Sequence, residues 1–461
     1  MEDIKLRAAG WAGQTLVHPL GLTILILCAI AVFLAPRRFA VAPMFVLACL
    51  VARQRVVLGG LDFDFIRLII IIGWIRVLAR AEYKGFEWKP IDTVMVLYAF
   101  SSIVVYTLQQ GTTTALTWML GQSLTGTGGY FVVRCLIQNW NDVFAVTRSI
   151  AITTVPIALV FVVEKVTARN AFAVFGGVPP LSQIRDGVVR AQGAFAHPIL
   201  AGCFWAGTLP MTAALWWRGG MDRMLAIAAT GGALFIVYAC ASSTPLAAVM
   251  AGVVGAGLYM IRTHMRAVRW GLLFALIALH MVKTRPVWHM FVYVNIIGGA
   301  TGYHRFVVID GAINHWSEWV VLGTKSTAHW GYTDITNQFV IDGVRGGVTT
   351  MILLIVTIAL AFGMVGRLWR SVEHDIARRT MAWAMGVGLF AHVMSFFSVS
   401  YFGQIGLLWT ITIAMIGSVG PAVEVRRTAQ TPRPHAQPSP FRPRASLAAQ
   451  VSHPAEYRDS P

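Results

Sequence analysis

The stretch RDGVVRAQGAFAHPILAG, residues 185–202, puts Arg185, Arg190 and His197 at the mouth of an apolar run. Arg285, Arg305 and Arg345 recur in a second polar stretch, 283–347. Charge at the edge of an apolar segment is costly without a partner. Snorkelling or a local ion pair, such as Arg305 with Asp310, accounts for any one of these arginines singly. Taken together they suit an anionic ligand, because the planar guanidinium fork matches phosphate oxygens two at a time. A lipid pyrophosphate needs such a cluster near the headgroup plane.

The second stretch also holds His304, His315, His329 and Asp334, interleaved with Tyr303, Trp316, Trp319, Trp330 and Tyr332. Aromatic faces stack on sugar rings, and interfacial belts use the same residues. A histidine titrates near neutral pH and can act as a general base. The spacing of His329 and Asp334 fits a base with its orienting carboxylate. No HExxH, P-loop, GxGxxG or GxSxG pattern occurs, which removes support for zinc hydrolysis and Walker-type nucleotide use. Cys28, Cys49, Cys135, Cys203 and Cys240 lie in or beside apolar runs and form no CxxC pair, as expected of small buried hydrophobes.

The elements that position these residues are apolar. Of 461 residues 56% are hydrophobic and 12% charged, and the mean hydropathy is +0.65. Soluble domains carry about 25% charged residues, so an all-α polytopic membrane protein is expected. Apolar segments fall near 19–35, 39–52, 65–79, 91–109, 115–136, 146–163, 194–217, 225–242, 244–261, 270–282, 348–366, 381–399 and 403–421. Some are short for a span of about 20 residues, so about 12 transmembrane helices are expected. No cleavable signal peptide is expected at MEDIKLRAAG. The net charge of +17 sits between apolar segments, as the positive-inside bias requires. Nucleic acid is therefore not the expected partner; membrane lipids are.

Residues 1–423 form the expected membrane domain, and 424–461, rich in Pro and Arg, a disordered basic cytoplasmic tail. Counting back from that tail, Arg367, Arg370, Arg378 and Arg379 are cytoplasmic, as are Arg262, Arg266 and Arg269, then Arg218 and Arg223, then Lys84 and Lys89. The N-terminal end is ambiguous: Arg37 with Arg38 and Arg53 with Arg55 flank the second segment on opposite sides. Residues 164–193 and 283–347 then face outward, the latter as one large loop. Within it FVVIDGAINHWSEWVV is expected to be an amphipathic surface helix anchored by Trp316 and Trp319. Arg67 and Arg76 are expected to snorkel from the ends of their segment, and Arg134 to pack near the cytoplasmic end of its helix.

RAQGAFAHPILAG resembles the R-x-x-G-x-F-x-H-P signature of the O-antigen ligase and O-antigen or exopolysaccharide polymerase superfamily. GYHRFVVIDGAINHW…VLGT…HWGYTDITNQFVIDGVRGG resembles that family's large periplasmic loop, and the likeness covers roughly residues 125–365. It implies metal-independent, cofactor-free, inverting glycosyl transfer at the periplasmic face of the bacterial inner membrane. The donor would be a saccharide on undecaprenyl pyrophosphate, the acceptor a glycan, with polysaccharide export or chain-length proteins as neighbours. Arg190 and Arg305 take the positions of the arginines that hold the pyrophosphate, while His197–Pro198 shape the turn into the next helix. Arg185, His197, Tyr303, His304, Trp330, Thr336 and Asn337 are the implied substrate contacts. Ligases carry a His-Asn-type pair, then Gly; here Thr336–Asn337 stands in its place, with Gly347 beyond. The chain departs from the ligase pattern there, which favours a repeat-unit polymerase and leaves His329 or Asp334 as the base. A ligase acting on a lipid or protein acceptor is the alternative. A transporter of lipid-linked sugars or solutes is the alternative from another class, with no repeat between the halves to support it.

Overall fold

The structure is a computed structural model; it describes residues 14–293, 301–332 and 334–419. The expected cytoplasmic tail lies outside these residues. The described chain is built of helices with two short hairpins. The helices are α1 (Pro19–Leu34), α2 (Val41–Leu50), α3 (Phe65–Ala79), α4 (Pro90–Gln110), α5 (Thr113–Ser123), α6 (Gly129–Leu136), α7 (Trp140–Thr167), α8 (Pro198–Ala214), α9 (Gly220–Ala239), α10 (Ser243–Gly257), α11 (Met265–Val282), α12 (Thr301–Asn314), α13 (Gln338–Ser371), α14 (Ile376–Phe396) and α15 (Gln404–Val419). Six stretches are long and apolar enough to cross a membrane: Pro90–Gln110, Trp140–Thr167, Pro198–Arg218, Gly220–Ala239, Ser243–Val282 and Gln338–Ser371.

Polar caps explain where many of the helices begin. Asp64 accepts from Arg67 N (2.7 Å) at α3, and Asn139 from Asp142 N (3.1 Å) at α7. Asp375 accepts from Arg378 N (2.9 Å) at α14. Pro19, Pro90 and Pro198 stand in first turns, where the missing N–H costs nothing. Small residues then bring helices close. A Cβ on Gly202 would meet Pro245 and lie 3.3 Å from the Cys240 Cβ, so α8 packs directly against the α9–α10 turn.

One end of the bundle carries ion pairs, two of them buried. Arg134 meets Asp92 (3.0 Å), Arg76 meets Glu82 (2.8 Å), and Arg148 and Arg218 share Asp222 (2.6 Å each). Arg37 joins them through Asp142 (2.9 Å) and the Leu136 carbonyl (3.0 Å). Arg55 belongs instead to hairpin β1–β2 (Arg55–Leu58, Leu61–Asp64), where it pairs with Asp62 (2.9 Å). The two arginine pairs that left the sequence ambiguous thus have separate partners.

Arg67 and Arg76 do not snorkel. Arg76 is fully buried and donates to Val32 O, to Ala35 O (2.7 Å) and to Glu82. Arg67 donates to Gly121 O (3.1 Å) and Thr125 Oγ1 (3.2 Å). Both bond backbone carbonyls of neighbouring helices, nearer partners than bulk water. Arg134 also bonds Glu87 O (2.8 Å) and is 3% exposed.

The stretch read as one amphipathic helix is broken. Helix α12 ends at Asn314, His315 leaves helical geometry, and Trp316–Trp319 forms a single turn. Trp319 is 4% exposed and donates to Ala312 O (2.7 Å), so it is core rather than an interfacial anchor; Trp316 is exposed. Val308, Ala312, Trp319, Trp330, Tyr332, Val340 and Val344 form a separate small core over the start of α13. Helix α13 begins before the apolar segment read from sequence. Gly347 breaks it at φ +67°, where a side chain would strike the Val321 carbonyl.

Candidate functional site

Arg190 ends a hairpin, β3–β4 (Gln183–Arg185, Val188–Arg190), closed by Asp186 and Gly187, both at positive φ. Two positive φ values in a two-residue loop suit Asp-Gly. The next residues, Ala191 to His197, run inward and are tied down one by one. Ala191 N donates to Ala239 O at the end of α9 (3.1 Å). Glu164, fully buried near the end of α7, accepts from Ser182 Oγ (2.8 Å), Gln192 N (2.9 Å) and Gly193 N (3.0 Å). Asn170 Nδ2 donates to Gly193 O (2.8 Å), and Gln404 Nε2 to Ala194 O (2.7 Å). Gly193 has φ +57°, and a Cβ there would sit 2.5 Å from Phe161. The segment after Arg190 is therefore held from α7, α9 and α15.

His197 closes this segment by capping α8: its Nδ1 accepts from Ile199 N (3.2 Å). Burial, then the charges of Arg190 and Arg53, push its pKa down to about 4. The ring is neutral at pH 7, with its proton on Nε2. His197 thus positions backbone, and its influence on a ligand runs through that turn.

Arg190 is 5% exposed. Its Nη1 donates to Gln183 Oε1 (3.1 Å), and its buried Nε has no hydrogen-bond partner. No described carboxylate pairs with it. Burial, then the charge of Arg185, lowers its pKa from the ordinary arginine value. A buried cation left without an anion is strongly unfavourable, so the site is short of one negative charge. Arg185 itself is exposed, 3.6 Å from Asp186, and lends its field rather than a contact.

Arg305 approaches from α12. It is 6% exposed and donates from Nη2 to Thr244 Oγ1 in the first turn of α10 (2.7 Å). Asp310, the local partner conceivable from sequence, is taken by Trp288 Nε1 (2.9 Å) and Asn314 Nδ2 (2.9 Å). The α9–α10 turn, Cys240 to Thr244, therefore has the Arg190 strand bonded to one end and Arg305 to the other. Arg190 is within electrostatic reach of Cys240, Arg305 of Cys203, and the two cysteines of each other. Residues far apart in sequence converge on one turn, beside the N-terminus of α10, where the helix dipole favours an anion.

The other residues singled out from sequence divide. His304, beside Arg305, contacts Asp334 O through Nε2 (3.1 Å). Tyr303 is exposed and near Phe306 (6.3 Å between ring centres). Asn337 caps α13, accepting from Val340 N (3.1 Å), and Thr336 precedes it half-buried. His329 does not pair with Asp334. It meets Glu318 Oε2 (2.6 Å), because Gly331 at φ +89° and the bond from Thr327 Oγ1 to Tyr332 O (3.1 Å) turn it aside. Trp330 is 7% exposed, stacks on His315 and spends its Nε1 on Glu318 (3.0 Å), so it supports the loop and offers no free face to a sugar. Hydrogen bonds from Trp330 and His329 hold the Glu318 carboxyl below its ordinary pKa.

Asp334 instead lines a cavity of about 430 Å³ with Tyr106, Gln109, Gln110, Lys325 and Arg345. Neither Arg190 nor Arg305 lines it; His304 links its wall to the residue next to Arg305. Glu164 and this cavity escaped the sequence reading, since each depends on segments that only folding brings together. Among the described residues no group of three or more His, Cys, Asp or Glu is placed to hold a metal ion.

Compared with known proteins, the chain matches no family model and no curated protein.

Proposed function

We propose that the chain is a polytopic glycosyltransferase of the bacterial inner membrane, with about twelve spans, a cytoplasmic C-terminus and the 283–347 loop in the periplasm. It transfers a saccharide from undecaprenyl pyrophosphate to a glycan acceptor and so polymerises repeat units of a surface polysaccharide. The observation that carries this reading is Arg190: a buried guanidinium with an unpartnered Nε and no described carboxylate beside it, at the end of a strand whose next residue bonds Ala239 O beside the turn that Arg305 reaches at Thr244. A diphosphate supplies the missing charge.

In the proposed reaction an acceptor hydroxyl attacks C1 of the donor sugar from the face opposite the pyrophosphate. A new C–O bond forms, the C1–O bond to phosphate breaks, and the lipid pyrophosphate leaves with the electron pair. The hydroxyl proton passes to a carboxylate, for which Asp334 is the candidate, since it lines the cavity while His329 faces Glu318. Arg190 and Arg305 stabilise the charge growing on the departing diphosphate, commonly the largest catalytic contribution. The Thr336–Asn337 pair supports polymerase over ligase, because Thr336 stands where the ligase pattern carries a histidine.

The test is to give purified protein a lipid-pyrophosphate-linked repeat unit. A ladder of products with wild type, and its loss in Arg190→Gln and Arg305→Gln, is expected. Equal turnover in all three overturns the reading.

A further inference from the structure

The 430 Å³ cavity has a chemistry of its own. It opens among the C-terminal end of α4, residues 324–327, Asp334 and the first half of α13. Its volume falls in the range of about 300–1,000 Å³ usual for ligand sites. Three charged side chains line it, and none is spent within the protein. Lys325 and the Asp334 carboxylate make no hydrogen bond or ion pair among the described residues. Arg345 makes none either, although the buried Asp342 carboxylate lies within its electrostatic reach; its guanidinium rests over the Trp118 ring at 5.3 Å, and Trp118 in turn packs on Tyr106. The ring fixes Arg345 from behind and leaves its N–H edge free.

The remaining lining combines neutral polar groups with the apolar side chains of Ile335, Ile341, Val344 and Phe402. Gln110 donates Nε2 to Gln109 Oε1 (3.0 Å), and Gln109 is engaged with Leu322 O (3.0 Å) and Val344 O (2.9 Å), so this wall is rigid. Thr324 and Ser326 add hydroxyls, and Tyr106 an aromatic face. Hydroxyls, an amide pair and an aromatic face suit a sugar ring. Lys325 and Arg345, both exposed and without an ion pair among the described residues, face a single carboxylate in the lining, which suits a sugar with a negative substituent.

We propose that this cavity is the acceptor subsite and that it takes a carboxylate-bearing sugar, of the hexuronic acid class. Lys325 and Arg345 hold the sugar's carboxylate, Arg345 in bidentate fashion. The Asp334 carboxylate then faces a ring hydroxyl. The inference rests on the glycosyl-transfer reading for the word acceptor; the binding chemistry rests on the cavity alone.

Binding of trigalacturonate and of maltotriose to the purified full chain, followed by quenching of tryptophan fluorescence, tests it. Trigalacturonate is expected to bind at least tenfold more tightly than maltotriose, and the advantage should shrink as salt rises. Lys325→Gln with Arg345→Gln should abolish the advantage while leaving maltotriose binding in place, which also reports that the variant is folded. Equal affinity for the two oligosaccharides, or a preference that survives the double substitution, overturns the proposal. A preference for trigalacturonate in a protein that transfers no sugar supports the subsite and defeats only the catalytic reading. Sugar transfer without the preference defeats the subsite alone.

Discussion

Two kinds of buried arginine are present, and substitution separates them. Arg134 is matched by Asp92, so Arg134→Gln leaves a buried carboxylate without its ion-pair partner, though still bonded by Tyr130 and the Lys89 N–H, and should cost about 3 kcal/mol. Arg190 has no such match, so Arg190→Gln should leave the melting temperature in detergent unchanged or raised, while turnover falls roughly 10²–10³-fold. His197 adds a pH dependence. Its pKa falls to about 4 in the folded protein from the ordinary histidine value of 6.5. Its contribution to stability is complete above pH 6.5 and is lost as pH drops from there towards 4, because the unfolded chain takes up the proton first. Melting curves between pH 7.5 and 4.5 should show a loss on the order of 3 kcal/mol at most, and His197→Asn, which keeps a capping side chain, should flatten it. The sequence pointed to Arg190, Arg305 and His197 because they stand in or beside recognisable motifs. It did not reveal Glu164, a lone carboxylate at the end of an apolar helix, whose role exists only once residues 182–193 fold onto it. Spacing also misled for His329 and Asp334, since the turn at Gly331 sends them different ways.

Elements were legible where apolar runs are long. The helices fall on the segments read from hydropathy, with starts shifted by caps such as Asn139 and Asn337. Breaks inside polar stretches were not, because they depend on distant contacts. Residues 306–321 were read as one helix, yet Trp319 folds back onto Ala312 O and the helix ends at Asn314. Gly347 is the sharpest case of such dependence, since its positive φ lets Val348 N reach Val320 O (2.9 Å) and docks the loop on α13. Gly347→Ala should therefore loosen residues 320–348, which faster hydrogen exchange there would report. Gly193→Ala should push against Phe161 and displace the segment after Arg190, lowering turnover with little change at α13.

At the scale of the whole molecule, Arg37, Arg134, Arg148 and Arg218 lie in ion pairs with Asp142, Asp92 and Asp222, whereas the α9–α10 turn receives the backbone of Ala191, next to Arg190, at one end and the Arg305 side chain at the other. The proposed orientation puts that turn in the periplasm. All five native cysteines are buried, so introduced ones can be read against low background. Lys325→Cys should react with a membrane-impermeant maleimide in intact spheroplasts, and Arg223→Cys only after the membrane is opened. The reverse pattern would invert the orientation.

In the proposed reaction Arg190 and Arg305 together hold a diphosphate. Binding of undecaprenyl pyrophosphate and undecaprenyl monophosphate to the protein in nanodiscs tests this without requiring catalysis. Tighter binding of the pyrophosphate is expected, with the difference lost in both Arg190→Gln and Arg305→Gln. Equal binding of the two lipids, or a pyrophosphate preference untouched by either substitution, would contradict it.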